Sequence, residues 1–232
     1  MLHRIYSLIT KPFYFIISIN FYKNFVGENK LFFDIGANIG NRTKFFNRLG
    51  VKVVAVEPQP DCADKLEKKF AGRDVVVVRK GVGREAGEMQ MSVCENQSGL
   101  STFSDKWQTG RFKNFNFDKK IIVQMTTIDK LIEEFGLPDF CKIDVEGFEL
   151  EALNGLTKKV GCLNLEFTSE FFDQAVRCVE RLEGIGFSEF NFTLGEKPKL
   201  ILGRWVNKNS LLAELHDRIK DNPDTWGDIY AR

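Results

Sequence analysis

The sequence predicts an α/β protein in which a mostly parallel sheet is covered by helices on both faces. From residue 31 onwards, short apolar runs that end in polar or acidic residues alternate with amphipathic segments. The first run, Leu31 to Ile35, passes directly into a loop that contains two glycines. Alternating strands and helices form parallel sheets with helices on both faces. Ligands of such sheets bind in the crevice beyond the carboxyl ends of the strands.

The composition is that of one globular domain. The chain has 232 residues, of which 43% are hydrophobic and 28% are charged, and its net charge is +1. This length can close a single large core, and the near-neutral charge gives no support to nucleic acid as a partner. The five cysteines, at positions 62, 94, 141, 162 and 178, show no C-x-x-C spacing. Their number and spacing indicate reduced thiols in a cytoplasmic protein, with neither a disulfide framework nor a zinc site.

Residues 1–30 are predicted to be an apolar and aromatic extension that precedes a single domain at 31–232. The most apolar part, residues 12–22 (PFYFIISINFY), is too short to span a bilayer, which takes about 20 residues. No small-residue cleavage site follows it, so no secretory signal is predicted. Two hypotheses stay open: a helix that packs on the sheet, or a surface that makes peripheral contact with a membrane or a partner.

The spacing of apolar residues predicts the elements of this domain. Strands are expected at 31–35, 51–56, 75–79, 121–125, 140–144, 162–167, 187–193 and 200–206. Helices are expected at 42–49, 61–70, 128–135, 172–182 and 210–220, with a short one ending at 153, and Asp61, Thr127 and Ser169 are expected as N-caps. The last two strands should form an antiparallel pair around the turn at 195–198. Residues 85–117 interrupt the alternation and are predicted to be a β insertion, hairpin or irregular, with its loop at 96–102.

The loop after the first strand, residues 34–40 (DIGANIG), is the predicted cofactor cradle. A dinucleotide site uses G-x-G-x-x-G, but the positions two and five residues after Gly36 are both Asn. Glu57 ends the second strand, where a carboxylate can accept hydrogen bonds from the ribose hydroxyls of NAD or S-adenosylmethionine alike. Asp34 is expected beneath the loop, near the cationic end of a sulfonium cofactor, as a cap of the loop amides, or as both.

Several motifs together resemble one family. DIGANIG at 34–40, VEP at 56–58, TTID at 126–129 and KIDVEGFE at 142–149 resemble the FkbM family of S-adenosylmethionine-dependent methyltransferases. WGDIY at 226–230 is similar to the tails of bacterial members. The likeness spans about residues 31–168 and leaves the first 30 residues unmatched. It implies a Rossmann-like sheet of seven strands and methyl transfer to oxygen, often on a sugar, a glycan or a natural product.

The resemblance also implies which residues contact S-adenosylmethionine. The expected contacts are Asp34, Gly36, Asn38 and Gly40 on the methionine side, Glu57 at the ribose, Pro58, Gln59, Gly81 and Val82 around the adenine, and Asp144 near the transferred methyl group.

Methyl transfer to a hydroxyl is helped by a general base, and three carboxylates are the candidates for it. The two histidines, His3 and His216, lie outside every predicted strand end. Asp144 is the first choice and Glu146 the second, while Glu166 ends the adjacent strand and could reach the same crevice. Two alternatives stay open. Glu146 could serve only the first turn of the following helix, or Asp144 and Glu166 could share a Mg²⁺ ion, although no third ligand is evident and no metal is predicted.

The acceptor pocket is expected from the insertion at 85–117 and the loop after Glu166, because grafted loops confer specificity. The candidate sugar contacts, which could equally be plain exposed loop residues, are Asn96, Ser98, Ser101 and Trp107. The predicted function is thus O-methyl transfer. Its alternatives are a nicotinamide-dependent oxidoreductase and a non-catalytic α/β binding module that docks on a membrane through residues 12–22.

Overall fold

The computed structural model describes residues 14–109 and 112–232. Its strands are β1 (Leu31–Ile35), β2 (Lys52–Val56), β3 (Val75–Val78), β4 (Gly81–Val82), β5 (Gly87–Val93), β6 (Lys119–Thr126), β7 (Phe140–Ile143), β8 (Cys162–Thr168), β9 (Phe190–Phe192) and β10 (Trp226–Ala231). Its α-helices are α1 (residues 14–22), α2 (Thr43–Arg48), α3 (Pro60–Lys69), α4 (Ile128–Phe135), α5 (Glu149–Asn154), α6 (Phe172–Ile185) and α7 (Lys208–Asp221).

Seven of the strands form one sheet, in the order β3-β2-β1-β7-β8-β10-β9. All of its neighbouring pairs are parallel except those of β10, which runs antiparallel to both β8 and β9. The prediction of a seven-stranded, mostly parallel sheet with an antiparallel final pair is confirmed. The chain proceeds outward from β1 in one direction and then from β7 in the other. The carboxyl ends of β1 and β7 thus form the topological switch point at which such sheets bind ligands.

The partner of β9 differs from the prediction. Residues 200–206 are not a strand of the sheet, and Val206 meets β9 only in an isolated bridge with Phe190. β10 inserts between β8 and β9 instead, so that Ile229 pairs with Leu165 on one side and Phe192 on the other. The last residues of β10 are buried. This C-terminal segment occupies the place between β8 and β9 because it buries apolar side chains there and forms hydrogen bonds along both of its edges.

The segment at 85–117 contains the predicted β insertion. β5 pairs antiparallel with β6, and β4 pairs with the other edge of β6, which gives a separate three-stranded sheet. Residues 94–118 connect β5 to β6 and include 3-10 turns at Ser98–Leu100 and Lys106–Gln108. Both sequence hypotheses for the insertion are therefore partly met, since a long irregular loop lies between two paired strands.

One of the three predicted helix caps is confirmed. The Thr127 hydroxyl oxygen accepts the N–H of Lys130 at 3.1 Å and caps α4. The other two predictions are each wrong by two residues, because the N-cap residues of α3 and α6 are Gln59 and Phe171. α3 begins at Pro60, because proline needs no hydrogen-bond partner in the first turn of a helix. A 3-10 turn at Ser169–Phe171 precedes α6, so that helix begins at Phe172.

Helices cover both faces of the sheet, as predicted. On one face, α4, α5, α6 and α7 bury a core that includes Phe33, Ile143 and Leu165. On the other face, α1, α2 and α3 bury a core rich in aromatic rings that includes Phe32 and Phe140. Because successive side chains of a strand point to opposite faces, Asp34 and Lys142 share this second face with the aromatic residues.

The described part of the N-terminal extension packs on the sheet. In α1, Tyr22 is buried and stacks on Phe45 with ring centroids 5.6 Å apart. In the turn after it, Phe25 stacks on Phe140 at 5.0 Å. Each aromatic pair stabilises the fold by about 0.5–1.5 kcal/mol beyond its buried area. Ile16 remains 57% exposed. Residues 14–22 thus follow the packing hypothesis, whereas 12 and 13 lie outside the described residues.

Within the two described ranges, no helix has the length and apolar character needed to cross a membrane.

Candidate active site

The loop between β1 and α2 has a backbone conformation that requires glycine. Gly36 has a φ of +78°, and a Cβ at this position would lie 1.8 Å from the carbonyl oxygen of Asp144. The N–H groups of Gly36 and Ala37 both donate to the carbonyl oxygen of Val56, at 3.0 and 3.1 Å. Gly40 has a φ of +76° and fits against the ring of Phe70. The loop is thus held close to the ends of both β2 and β7.

Asp34 lies in β1 beneath this loop and holds the start of α2. Its Oδ2 accepts the N–H of Thr43 at 2.9 Å and the Thr43 hydroxyl at 2.5 Å. Burial raises the pKa of Asp34, while the charge of Lys142 and the Thr43 hydroxyl act to lower it. The hydrogen bonds found for this carboxylate are with the first residue of α2, not with the loop amides. Its role beside a sulfonium stays a prediction.

Glu57 follows β2 and is 2% exposed. Its Oε2 accepts the N–H of Asn38 at 2.8 Å, and its Oε1 accepts the N–H of Gln59 at 2.9 Å. Burial raises the pKa of Glu57 to about 7, although both N–H bonds act to lower it. A carboxylate oxygen can accept more than one hydrogen bond. Glu57 therefore fixes the glycine loop to the end of β2 and retains acceptor capacity for a ligand hydroxyl.

Gln59 joins the end of β2 to the loop of the insertion. Its side-chain Nε2 donates to the carbonyl oxygen of Ser98 at 2.9 Å, and its Oε1 accepts the hydroxyl of Ser101 at 3.0 Å. The Ser98 hydroxyl also donates to the Asn38 side-chain oxygen at 3.2 Å. The insertion loop is therefore hydrogen-bonded to both edges of the crevice that the glycine loop and β2 define.

Two cavities meet at the carboxyl ends of β1 and β7. The inner cavity, of about 80 Å³, lies between the glycine loop and the insertion, and the outer cavity, of about 450 Å³, lies between the glycine loop and α1. Both are lined by Gly36, Asn38, Gly99, Asp144 and Glu146. The inner wall also includes Glu57, Pro58, Gln59, Ser98 and Ser101. The outer wall also includes Tyr14, Asp34, Arg42, Lys44, Lys142 and Glu196.

A larger apolar cavity, of about 780 Å³, opens elsewhere on the molecule. Asp139 and Cys162 in its wall flank the amino ends of β7 and β8. Ligands of parallel sheets bind at the opposite ends of the strands. We therefore place the candidate active site at the two smaller cavities.

The three carboxylates proposed as bases lie together beside these cavities. One oxygen each of Asp144, Glu146 and Glu166 lies within 4.8 Å of the others. We call these residues the acidic cluster. Burial, and then repulsion from the neighbouring carboxylates, raises the pKa values of Glu146 and Glu166. Glu146 thus joins Asp144 and Glu166, the pair considered for a shared Mg²⁺ ion, at a spacing that a divalent cation could also use.

Lys142 neutralises part of this negative charge from inside the sheet. Its buried ammonium forms an ion pair with Asp144. Burial alone lowers the pKa of Lys142, but the charges of Asp144 and Asp228 outweigh that effect and raise it above its ordinary range. Lys142 therefore stays charged. Asp228 was not a sequence candidate; it reaches the site because β10 lies next to β8.

The loop after β7 is shaped by residues on two other elements. Glu146 has a φ of +52°, which is unusual for a residue with a side chain, and Gly147 has a φ of +85°. The carbonyl oxygen of Glu146 accepts the Thr102 hydroxyl at 2.6 Å. Glu149 accepts the N–H groups of Val145 and Gly147, both at 3.2 Å. Glu149, a residue of the first turn of α5, thus stabilises the loop that carries Glu146.

Two of the expected adenine contacts lie apart from the cavities. Gly81 and Val82 form β4 and are buried, and neither lines the inner or the outer cavity. A Cβ on Gly81 would meet the side chains of Met125 and Phe103. Pro58 and Gln59 do line the inner cavity, so two of the four residues expected around the adenine reach it.

Of the four expected sugar contacts, two also line the inner cavity and two line neither the inner nor the outer cavity. Ser98 and Ser101 line the inner cavity, beside Glu57, and Asn96 is exposed and lines neither cavity. Trp107 is only 3% exposed because its ring stacks on Phe112 and Phe171. The prediction that Trp107 contacts a sugar is therefore wrong.

Sequence reasoning missed several residues of the outer wall, among them Tyr14, Arg42 and Glu196. Tyr14 belongs to the extension that resembled nothing, and Glu196 lies in what was expected to be a hairpin turn. Arg42 follows the glycine loop by two residues, which was the only available signal. Tyr14 and Glu196 meet 182 residues apart in the sequence, a distance at which no local pattern applies.

Comparison with known proteins agrees with this geometry. The family model described as the methyltransferase FkbM domain matches residues 34–182. That segment contains the glycine loop, Glu57 and the acidic cluster. The chain belongs to the FkbM methyltransferase domain family. The methyl donor of this family is S-adenosylmethionine, in agreement with the cofactor expected from the sequence.

Two individual relatives share less than 30% sequence identity with this chain. Methyltransferase sdnD of Sordaria araneosa is 27% identical over a match that covers 57% of this chain and 62% of that protein. Hexuronic acid methyltransferase AglP of Haloferax volcanii is 28% identical, with 59% and 54% covered. The chain spans less than two thirds of the length of either. Among solved structures, precorrin-6y C5,15-methyltransferase of Geobacter metallireducens has a TM-score of 0.49 at 14% identity, with 94% and 86% covered.

The inner cavity fits the chemistry of the family's methyl donor better than that of a dinucleotide. Asn38 occupies the position of the second glycine of a dinucleotide loop, and its side chain accepts a hydrogen bond from Ser98. The Cβ and the side-chain amide of Asn38 thus occupy the space in which the glycine backbone of a dinucleotide site approaches the pyrophosphate. Glu57 lies at the end of β2 and lines the inner cavity, a position that suits the ribose of either cofactor, so Asn38 is the residue that distinguishes them.

Proposed function

We propose that this protein transfers the methyl group of S-adenosylmethionine to a hydroxyl oxygen of a sugar, a glycan or a natural product. The observation that carries the proposal is the position of Asp144 and Glu146, which line both cavities where they meet. Carboxylates there can accept the proton of a hydroxyl group that enters through the outer cavity. A carbohydrate acceptor is supported by the Haloferax volcanii relative, which is named a hexuronic acid methyltransferase.

The cofactor would be held by residues that line the two cavities. Glu57 and Gln59 are assigned to the nucleoside side, and Gly36, Asn38 and Asp34 to the methionine side. Bound S-adenosylmethionine supplies a methyl group already activated by a sulfonium, so alignment of the acceptor can provide most of the rate enhancement. The fixed backbone of the glycine loop and the insertion loop joined to Gln59 serve that alignment.

Within the acidic cluster we assign the role of base to Glu146. Asp144, the first choice from the sequence, is already engaged in an ion pair with the Lys142 ammonium. Burial and neighbouring carboxylates raise the pKa of Glu146, and a raised pKa makes a carboxylate a better base near neutral pH. Glu166 lies half-buried beside it and is assigned to hold its charge and orientation.

Two further expectations belong to this proposal. A cytoplasmic location is supported by the five cysteines, all of which are buried and unpaired thiols. Peripheral contact of the protein with a membrane or a partner is supported by two exposed apolar residues of α1, Ile16 and Ile17.

Calorimetry with S-adenosylhomocysteine, S-adenosylmethionine and NADH tests the donor half of the proposal. We expect both sulfur compounds to bind and NADH not to bind. Binding of NADH alone would favour the oxidoreductase, and binding of none would favour the binding module. The acceptor half is tested by incubating the protein with S-adenosylmethionine and a panel of methyl glycosides and hexuronates. Mass spectrometry should detect an O-methylated product.

A further inference from the structure

The residues that line the outer cavity come from two parts of the chain, one inside and one outside the segment that the family model matches. Gly36, Arg42 and Asp144 lie within residues 34–182, the segment that the family model matches. Tyr14 and Glu196 lie outside that segment, on α1 and on the turn after β9, and line the same cavity. One part of the wall thus lies within the segment that the family model matches, whereas Tyr14 and Glu196 lie outside it. Residues of the second kind are suited to select an acceptor.

Tyr14, Arg42 and Glu196 are joined by direct contacts, and we call them the wall triad. The Tyr14 hydroxyl donates to the carbonyl oxygen of Glu196 at 2.9 Å, and Arg42 donates to the Tyr14 hydroxyl oxygen at 3.5 Å. The Arg42 guanidinium also forms an ion pair with the Glu196 carboxylate. The Arg42 side chain is 15% exposed, while that of Glu196 is 63% exposed. A buried cation therefore anchors a carboxylate whose remaining acceptor positions face solvent.

The ring of Tyr14 is anchored as well. It lies edge-on to the ring of Phe45, with centroids 6.5 Å apart, and its hydroxyl is held by the two contacts above. This leaves the wall with one fixed aromatic surface beside one fixed carboxylate. Ligand sites commonly combine such an apolar surface with a few placed polar groups. An aromatic surface suits the C–H face of a sugar ring, and a carboxylate accepts strong hydrogen bonds from hydroxyl groups.

We propose that Tyr14 and Glu196 form an acceptor subsite that binds a pyranose ring, with Arg42 as the residue that positions both. The subsite rests on the proposed function, because it would bring a sugar hydroxyl towards Glu146 from the outer cavity. It assigns substrate recognition to the N-terminal extension and to the turn after β9, neither of which belongs to the family segment. The insertion loop lines mainly the inner cavity, to which its bonds to Gln59 hold it, and reaches the outer cavity through Gly99.

Binding of methyl glycosides, followed by saturation-transfer NMR, tests the subsite. The probes are methyl β-D-glucopyranoside, methyl β-D-galactopyranoside and the corresponding hexuronates, each measured with and without S-adenosylhomocysteine. We expect at least one glycoside to bind the wild type, and Tyr14→Ala and Glu196→Gln to weaken that binding by about fivefold or more. Tyr14→Phe, which keeps the ring, should weaken it less than Tyr14→Ala. The affinity for S-adenosylhomocysteine should not change.

The matched control is Glu183→Gln. Glu183 is an exposed carboxylate in an ion pair with Lys208, away from both cavities, so its loss should leave glycoside binding unaltered. If Tyr14→Ala perturbs the packing of α1, Glu196→Gln still tests the subsite, because its side chain is exposed. Absence of glycoside binding, or equal binding by wild type and both variants, would overturn the subsite while leaving donor binding intact. Failure of the proposed function would instead appear as absent binding of S-adenosylhomocysteine in the wild type.

Discussion

Gly36 and Asp144 meet so closely that no side chain fits between the backbones of their two loops. A Cβ on Gly36 would lie 1.8 Å from the carbonyl oxygen of Asp144. The first loop carries the expected methionine contacts and the second carries the acidic cluster. Their contact is made by backbone atoms, so no side-chain rearrangement can relieve a larger residue there. The distance between the glycine loop and the acidic cluster is therefore set by the backbone.

Gly36→Ala should lower the free energy of unfolding by about 2–5 kcal/mol, because it adds a clash with backbone to a strained positive φ. Chemical denaturation gives this value, and calorimetry should show weakened binding of S-adenosylhomocysteine. Gly50→Ala is the matched control. Gly50 has a φ of +73° with no atom within 4 Å of an added Cβ, so only the conformational cost of about 1–2 kcal/mol applies. Equal losses in the two variants would contradict the contact.

Binding of S-adenosylhomocysteine should weaken as the pH falls below about 7, because burial raises the pKa of Glu57 to about 7. The ionised carboxylate accepts ribose hydroxyls best, so the affinity should fall by up to about tenfold per pH unit below that pKa. Glu57→Gln should bind more weakly at pH 8 and lose most of this pH dependence. Calorimetry at several pH values measures both effects. A wild-type affinity that is constant between pH 5.5 and 8 would remove Glu57 from the ribose site.

The same raised pKa affects stability. Folded Glu57 keeps its proton up to about pH 7, whereas the unfolded chain releases it near the ordinary glutamate pKa of 4.5. Between these pH values the folded state binds more protons, so this group's contribution to stability falls as the pH rises. Glu57→Gln should reduce that pH dependence, which urea denaturation at pH 5 and pH 8 would reveal.

The parts of the site that local patterns determine were predictable from the sequence. Glycines after a buried strand identified the loop at 34–40, and the acid after the next strand identified Glu57. Residues two apart along an extended strand share a face, which accounts for the ion pair between Lys142 and Asp144. These inferences succeed because each depends on residues adjacent in the chain and on the fixed geometry of parallel sheets.

The parts that depend on distant segments were not predictable. β10 takes a place between β8 and β9 that the sequence assigned to residues 200–206, since register and strand order follow from packing across the whole sheet. Trp107 looked like an exposed loop aromatic, yet it is buried against Phe112 and Phe171. Tyr14 and Glu196 meet only because α1 and the turn after β9 pack at the same edge.

Lys142→Met should destabilise the fold by about 3–5 kcal/mol at pH 8, because it leaves buried carboxylates without their cation. Asp34 and Asp228 have pKa values that burial raises and Lys142 lowers. Without the ammonium these pKa values rise further, so the variant should lose stability as the pH rises and regain part of it at pH 5. Lys208→Met, which removes a surface ion pair, should cost at most about 1 kcal/mol. A loss for Lys142→Met as small as that of the control would contradict this account.

Removal of divalent cations with EDTA should leave methyl transfer within about twofold of its untreated rate, because the negative charge of the acidic cluster is already compensated. Lys142 neutralises Asp144, and the raised pKa values of Glu146 and Glu166 allow the pair to retain a proton. The assay uses the O-methylated product detected by mass spectrometry. A large loss of rate that Mg²⁺ restores would instead make Asp144, Glu146 and Glu166 metal ligands.

Glu146→Gln should reduce turnover by about 100-fold or more, the usual contribution of a general base, with the affinity for S-adenosylhomocysteine nearly unchanged. Glu166→Gln should act differently. Charges of neighbouring carboxylates help to raise the pKa of Glu146, and Glu166 is the foremost of them after burial itself. Its neutralisation should lower that pKa and move the acid limb of the pH–rate profile to lower pH. Asp144→Asn should also reduce turnover more than donor affinity, because it releases Lys142. Full activity of Glu146→Gln alongside an inactive Asp144→Asn would return the role of base to Asp144.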